Sequence, residues 1–248
     1  TPNATYSILQ NIIDGTIGNY MADGEDKAAK LRVDSAIGLN EFYSDRNGKE
    51  ELVSTKRNEG GFVHTTTTLI DDEKQRNTFK CDMIITNVTH VDADEEHNIP
   101  EKVIVKGAIF DFRKSLLPVE FTATNPGAMA YYEGLGASPS EPVFTKLWGR
   151  QVSEVIKREI REESAFGDDN VREVQSTRKD FVITGGAKEP YVWDDESSIT
   201  AKELTEAMAA RETYLATLKQ RQDEYKASKQ NATTVTTVAS TATEGFKF

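Results

Sequence analysis

Between residues 28 and 186, apolar and polar residues alternate with a period of two, the mark of half-buried β-strands. Runs at 31–37, 51–56, 61–69, 78–89, 102–112 and 117–124 each predict a strand, dense in Val, Ile, Thr and Phe. Asp45-Arg46-Asn47-Gly48 predicts a tight turn, because Asn-Gly tolerates positive φ. Gly107, inside one of the longest runs, predicts a bulge or sharp bend. Asn125-Pro126 then opens a short helix, with Asn as N-cap and Pro at the first helical position, and Gly134 and Gly136 end it. Residues 143–160 predict a strand long enough to curve around a small barrel. A final pair of strands is expected at 171–177 and 179–184, and the acidic stretch 92–98 reads as a loop.

The flanks follow other patterns. Residues 1–27 read as an N-terminal arm, extended or holding a short helix. Ile8, Leu9, Ile12, Ile13 and Ile17 have helical spacing, but Gly15 and Gly18 weaken it. Residues 187–199 read as a linker with Pro190 and an acidic cluster. Thr200-Ala201-Lys202-Glu203 is a capping box that starts a helix over 200–229, about 45 Å long at 1.5 Å per residue. Its Leu204, Met208, Leu215, Leu218 and Tyr225 fall on an interrupted heptad seam, with Arg211 and Gln222 at the missing positions, and the seam serves either its own domain or a partner helix. Residues 230–248 read as a flexible, Thr/Ala/Val-rich tail. Its closing Phe246 and Phe248 are of the kind that dock into a partner's pocket. The expected architecture is mainly β. An OB-like antiparallel barrel over 28–186 carries a short inter-strand helix, and a long C-terminal helix follows.

Composition narrows the classes. At 248 residues the chain can bury a sizeable core, yet only 37% of it is apolar, which fits a domain with appendages. A single cysteine, Cys81, excludes an intrachain disulfide and a cysteine zinc cluster. No run approaches the roughly 18–20 apolar residues of a membrane span, so no membrane role is expected. The N-terminus does not read as a signal peptide, and a cytoplasmic setting fits. The net charge of −11 argues against generic DNA coating, which depends on phosphate neutralisation. The charge is uneven, however. Residues 102–150 hold six cations against four acids, so a locally positive trough is compatible with the acidic whole.

No constellation for catalysis emerges. The histidines His64, His90 and His97 lack metal-ligand spacing, and the loop of His90, Asp92, Asp94, Glu95, Glu96 and His97 reads as solvated acid with at most weak cation binding. Cys81 reads as a small buried hydrophobe. There is no nucleophile elbow and no phosphate loop. The chain is therefore expected to be a non-enzyme without metal or cofactor.

What remains is aromatic and basic. Over 143–150 one strand face carries Phe144, Lys146, Trp148 and Arg150. Exposed rings beside cations suit single-stranded nucleic acid, whose bases stack while phosphates meet Lys and Arg. The competing reading buries Phe144 and Trp148 in a core. Phe79, Lys80, Lys106, Phe110, Phe112, Arg113, Lys114, Tyr131 and Tyr132 extend the candidate surface if their strands are neighbours.

Several segments carry a family resemblance: Lys106-Gly107-Ala108-Ile109-Phe110-Asp111-Phe112, Leu117-Pro118-Val119-Glu120-Phe121, Tyr131-Tyr132-Glu133 and Pro142-Val143-Phe144-Thr145-Lys146-Leu147-Trp148-Gly149. Glu162-Glu163-Ser164-Ala165-Phe166-Gly167 and Phe181-Val182-Ile183-Thr184-Gly185 join them. Together they resemble bacteriophage replication-associated proteins of the single-stranded-DNA-binding, OB-fold type. The resemblance implies protection of single-stranded DNA during replication or recombination in the host cytoplasm. On the same reading, the C-terminal helix and tail are expected to serve self-association or contact with replication or recombination proteins. The chain departs from that pattern at its end, where Lys247 precedes Phe248 and only Glu244 is acidic nearby. Two other classes compete. A virion assembly protein would use the arm and tail to lace subunits together, and an acidic DNA mimic would inhibit a host defence protein.

Overall fold

The computed structural model describes residues 4–46, 48–94, 99–162, 164–167, 170–194 and 199–240. In chain order the elements are α1 (Ala4–Ile13), α2 (Tyr20–Asp23), β1 (Lys30–Arg46), β2 (Lys49–Thr66), β3 (Thr78–Val91), β4 (Lys102–Phe110), β5 (Leu116–Ala123), α3 (Pro126–Gly134), β6 (Val143–Glu162), β7 (Asn170–Gly186) and α4 (Ala201–Ser240). They fall into two units. One comprises Thr1–Asp34, Phe62–Phe110 and Leu117–Ala201, and the other comprises Ser35–Gly61, Asp111–Leu116 and Lys202–Phe248.

The first unit is built on a closed barrel in the order β3-β4-β5-β7-β6, with α3 between its third and fourth strands. Three strands, a short helix and a long strand follow in the order expected, with one correction. The barrel is not antiparallel throughout, because β5 meets β7 in parallel where Thr122 pairs with Val182. Five strands cannot alternate in direction around a closed ring, so one seam has to be parallel.

Register decides what lies inside. β3 pairs with β6 so that Cys81 faces Leu147, Met83 faces Thr145 and Ile85 faces Val143. Met83, Ile85, Val103, Val105, Phe121 and Leu147 are fully buried. Phe79 stacks on Phe121 with centroids 4.9 Å apart and meets Phe181 edge-on at 5.4 Å. Offset and edge-on pairs of this kind strengthen a core beyond the area they bury. The bulge expected near Gly107 is present, but its extra residue, Thr86, belongs to β3, between the pairs Ile85–Gly107 and Asn87–Lys106. A β-carbon on Gly107 would sit 2.9 Å from Ile85 Cα, so the strand crossing requires glycine there.

Several boundaries moved. The two runs expected at 51–56 and 61–69 are one strand, β2. Gly60 and Gly61, at φ 62° and 141°, let the chain pass the break without ending the ladder. β1 and β2 form a two-stranded sheet of their own and are not barrel strands. The strands expected at 171–177 and 179–184 are likewise continuous as β7. Beyond the barrel the β6–β7 ribbon exposes its described side chains on both faces, so polar residues do not interrupt it. The N-terminal region is helical at α1 and α2 rather than extended. Asn19 caps α2 by accepting from Ala22 N at 2.8 Å.

In the second unit, α4 runs to Ser240, past the expected end at residue 229 and into the stretch read as a flexible tail. Phe246 and Phe248 lie outside the described residues. Leu204, Ala207, Arg211, Leu215, Leu218, Gln222 and Lys226 form its covered stripe, spaced 3 or 4 residues apart. Ion pairs tie this stripe to β1 and β2. Lys226 Nζ reaches Glu50 at 2.8 Å and Asp45 at 3.0 Å, and Arg211 grips Glu41 with both terminal nitrogens. Leu204, Leu215 and Leu218 are thus half-covered within their own unit, whereas Met208 is left exposed. Among the described residues, no helix is long and apolar enough to cross a membrane.

Candidate nucleic-acid interface

The alternation expected along β6 holds. Pairing with β3 sets Lys80 opposite Trp148, Asp82 opposite Lys146, Ile84 opposite Phe144 and Thr78 opposite Arg150. Directly opposed residues share a face, with β-carbons about 4.5–5.5 Å apart. Lys80, Lys146, Trp148 and Arg150 therefore converge on the outer surface of the barrel. Trp148 is 41% exposed, so the indole is open to water. It lies across Gly185, where a β-carbon would come within 2.6 Å of Trp148 Cε2. Glycine is what seats the ring.

Phe144 leaves this row. It shares the face but is 1% exposed, and the expectation of an open ring there is corrected. The segment after β7, read from sequence as a linker, folds back along β6. Ala187 N donates to Lys146 O at 2.9 Å and Tyr191 N to Phe144 O at 2.7 Å. Tyr191 and Trp193 then cover Phe144, at centroid distances of 5.2 and 5.4 Å. Tyr191 also donates its hydroxyl to Asp82 Oδ1 at 3.1 Å. The Lys146 ammonium sits 5.5 Å from the Tyr191 ring centroid and 3.9 Å from Asp82. Tyr191 and then Asp82 hold that ammonium above the usual lysine range. Lys146 is thereby engaged with Tyr191 and Asp82.

Two further candidates turn away from the open face. Phe79 is half-buried over Gly149, whose hypothetical β-carbon would meet its ring at 2.8 Å, and packs on Phe121. Tyr132 is 2% exposed, and burial pushes its phenol pKa up. Its neighbour Tyr131 is half-buried and donates its hydroxyl to Ala187 O at 3.0 Å. On β4, Phe110 is half-buried, and Lys106 pairs with Glu120 across to β5 at 3.3 Å. Phe112, Arg113 and Lys114 belong to the other unit. There Phe112 is largely exposed beneath the Arg113 guanidinium, 5.0 Å from the ring centroid, and Lys114 pairs with Glu203. The single surface expected from sequence thus reduces, within the barrel unit, to Lys80, Trp148 and Arg150, with Lys146 beside them.

Sequence reasoning missed what adjoins the indole. A cleft of about 460 Å³ opens between α3 and the end of β7. Asn125, Ala128, Tyr131 and Tyr132 line one side, and Ile183 through Lys188 line the other. The Gly185-Gly186 pair ending a long strand was its one sequence signal. The second tryptophan, within an acidic linker, was the corresponding signal for the cover over Phe144.

α3, one wall of this cleft, is pinned by a histidine. His90 Nδ1 on β3 sits 2.7 Å from Glu133 Oε1 on α3. Its Nε2 is 3.2 Å from Glu101 and 3.5 Å from Asp92. The bond to Glu133, with the three negative charges, raises the His90 pKa. An unfolded His titrates near about 6.5, so the stabilisation is complete below that pH and fades as pH rises through the folded value. His90→Gln is accordingly expected to lower Tm at about pH 5.5 and to have little effect at about pH 8.5. Equal losses at both pH values in thermal melts would contradict this account.

Cys81, expected to be a buried hydrophobe, is half-buried on β3 opposite the buried Leu147. Burial, and then the charge of Asp82, push its thiol up to about 12. Native protein at mildly alkaline pH is expected to resist alkylation and to react fully in denaturant. Mass spectrometry before and after unfolding checks this.

No curated protein and no solved structure matches the chain. A family model does match, over residues 16–221, a span that takes in the whole barrel and the first half of α4. By that match the chain belongs to the YorF family.

Proposed function

We propose that this protein binds single-stranded DNA without catalysis, as a bacteriophage replication or recombination factor acting in the host cytoplasm. One observation carries the reading. Trp148 stands open on the barrel surface with Lys80 in register opposite it and Arg150 two residues on along the same face. A base stacks on the indole while the flanking phosphates meet the two cations. The strand order and inter-strand helix support treating the barrel as an OB fold, a scaffold on which strand binding recurs. The acidic remainder of the molecule limits the contact to this local positive face. The exposed Met208 and the C-terminal tail are the proposed contacts for replication proteins or a second copy.

A titration with oligo-dT tests the reading. The chain has two tryptophans, so a Trp193→Phe background isolates the signal of Trp148. Quenching is expected at low salt. The logarithmic salt slope should be about −1.4, because two phosphate contacts at about −0.7 each are lost to competing ions. An unchanged emission spectrum at saturating oligonucleotide would rule the proposal out.

A further inference from the structure

We infer that the cleft between α3 and the end of β7 takes one unstacked nucleotide, its base held between the walls and its phosphate held by Lys188. Choosing a base over other planar ligands rests on the strand-binding reading, because Gly185 both lines this cleft and seats the Trp148 indole. A strand stacked on the indole would deliver its neighbouring nucleotide to the cleft mouth.

The cleft itself is built for such a guest. Its volume of about 460 Å³ lies in the usual range for small-ligand sites. The half-buried Tyr131, braced edge-to-face at 5.1 Å by the buried Tyr132, provides an aromatic wall. Gly185 and Gly186 line it with backbone alone, their side-chain positions taken up by the Trp148 indole and the Tyr132 hydroxyl. Polar groups stand at its edge. On β7 the ladder to β6 passes from Gly185–Trp148 to Ile183–Gly149, so Thr184 is a bulged residue with no register partner on β6. Bulges of this kind re-aim a side chain beside a site, and the Thr184 side chain is exposed. Asn125 commits its Oδ1 to capping α3, accepting from Gly127 N at 2.9 Å, and so retains its amide NH₂ as a donor. Lys188 supplies an exposed cation at the same cleft. Directional donors beside an aromatic wall suit the edge and face of a nucleobase, and an ammonium suits its phosphate.

The test uses the full chain with thymidine, thymidine monophosphate, inorganic phosphate and oligo-dT, read by ring resonances of Tyr131 and by tryptophan emission. Thymidine monophosphate is expected to bind saturably, thymidine more weakly, and phosphate alone not at all. Ala128→Leu fills the cleft from α3 and leaves Trp148, Lys80 and Arg150 untouched. It should abolish monophosphate binding and weaken oligo-dT about tenfold, the worth of one lost base contact, while the emission quench persists. Lys188→Ala, at an exposed position that leaves folding intact, should remove the preference for monophosphate over thymidine. Oligo-dT binding that persists with no mononucleotide saturation, and with both variants behaving as wild type, overturns the cleft and spares the strand reading. Mononucleotide binding sensitive to Ala128→Leu, without any oligo-dT binding, does the reverse. Binding of phosphate alone, equal to that of the monophosphate, overturns the base pocket.

Discussion

Trp148→Ala is expected to lower oligo-dT affinity about 5- to 150-fold, and Trp148→Phe to recover most of it. The range follows from the worth of one base stacked on an aromatic ring, about 1–3 kcal/mol, at 1.4 kcal/mol per tenfold. The phenylalanine variant separates stacking from folding, since it keeps a flat ring over Gly185 where the indole now lies. Lys80→Ala and Arg150→Ala act differently. Each should weaken binding to all sequences alike and make the salt slope shallower by about 0.7. Arg150→Ala also removes a buried Nε that has no hydrogen-bond partner among the described residues, so its effect on Tm is measured beside its effect on binding. Lys146→Ala should alter stability more than affinity, given its bonds to Tyr191 and Asp82. Phe112→Ala serves as the contrast, being an exposed ring beside a cation in the other unit. If Phe112→Ala abolished binding while Trp148→Ala left it intact, the barrel face would lose its claim.

The largest stability effect is expected in the second unit, at Arg211 and Glu41. Their side chains are 12% and 3% exposed, and the guanidinium meets the carboxylate with two nitrogens, Nη1 standing 2.6 Å from Oε2. Removing one partner strands a buried charge, so Arg211→Ala or Glu41→Ala should each cost about 3–5 kcal/mol. Replacing both, as in Glu41→Leu with Arg211→Met, should restore most of that loss, because the desolvation of the pair disappears with it. The double-mutant cycle is read by urea denaturation with circular dichroism at 222 nm, which follows α4. Single and double variants equally destabilised would mean that packing of the stem, not the charge pair, holds the helix. The exposed pair of Lys202 with Glu206 provides the low end of the scale, worth about 0.3–0.5 kcal/mol.

The local grammar was legible along the chain. Alternation placed β3, β4 and β5 within a few residues. Asn125-Pro126 placed the start of α3, where Asn125 does cap the helix, and the capping box placed the start of α4. These signals are short-range, since they depend on side-chain period and on backbone groups a few residues away. The same period also put Phe144, Lys146, Trp148 and Arg150 on one face.

What covers a face is a different matter, settled by residues far along the chain. Phe144 and Trp148 are equivalent by alternation, yet Tyr191 and Trp193 close over the first, whereas the second lies on Gly185 and stays 41% exposed. Phe79 likewise reads as a surface ring beside Lys80 until the register with Gly149 and the stack on Phe121 turn it inward. The parallel seam of β5 with β7, the separation of β1 and β2 from the barrel, and the cleft at Gly185-Gly186 follow the same rule. A strand's own residues fix which way its side chains point, but only closure of the barrel decides which neighbour they meet and whether water reaches them.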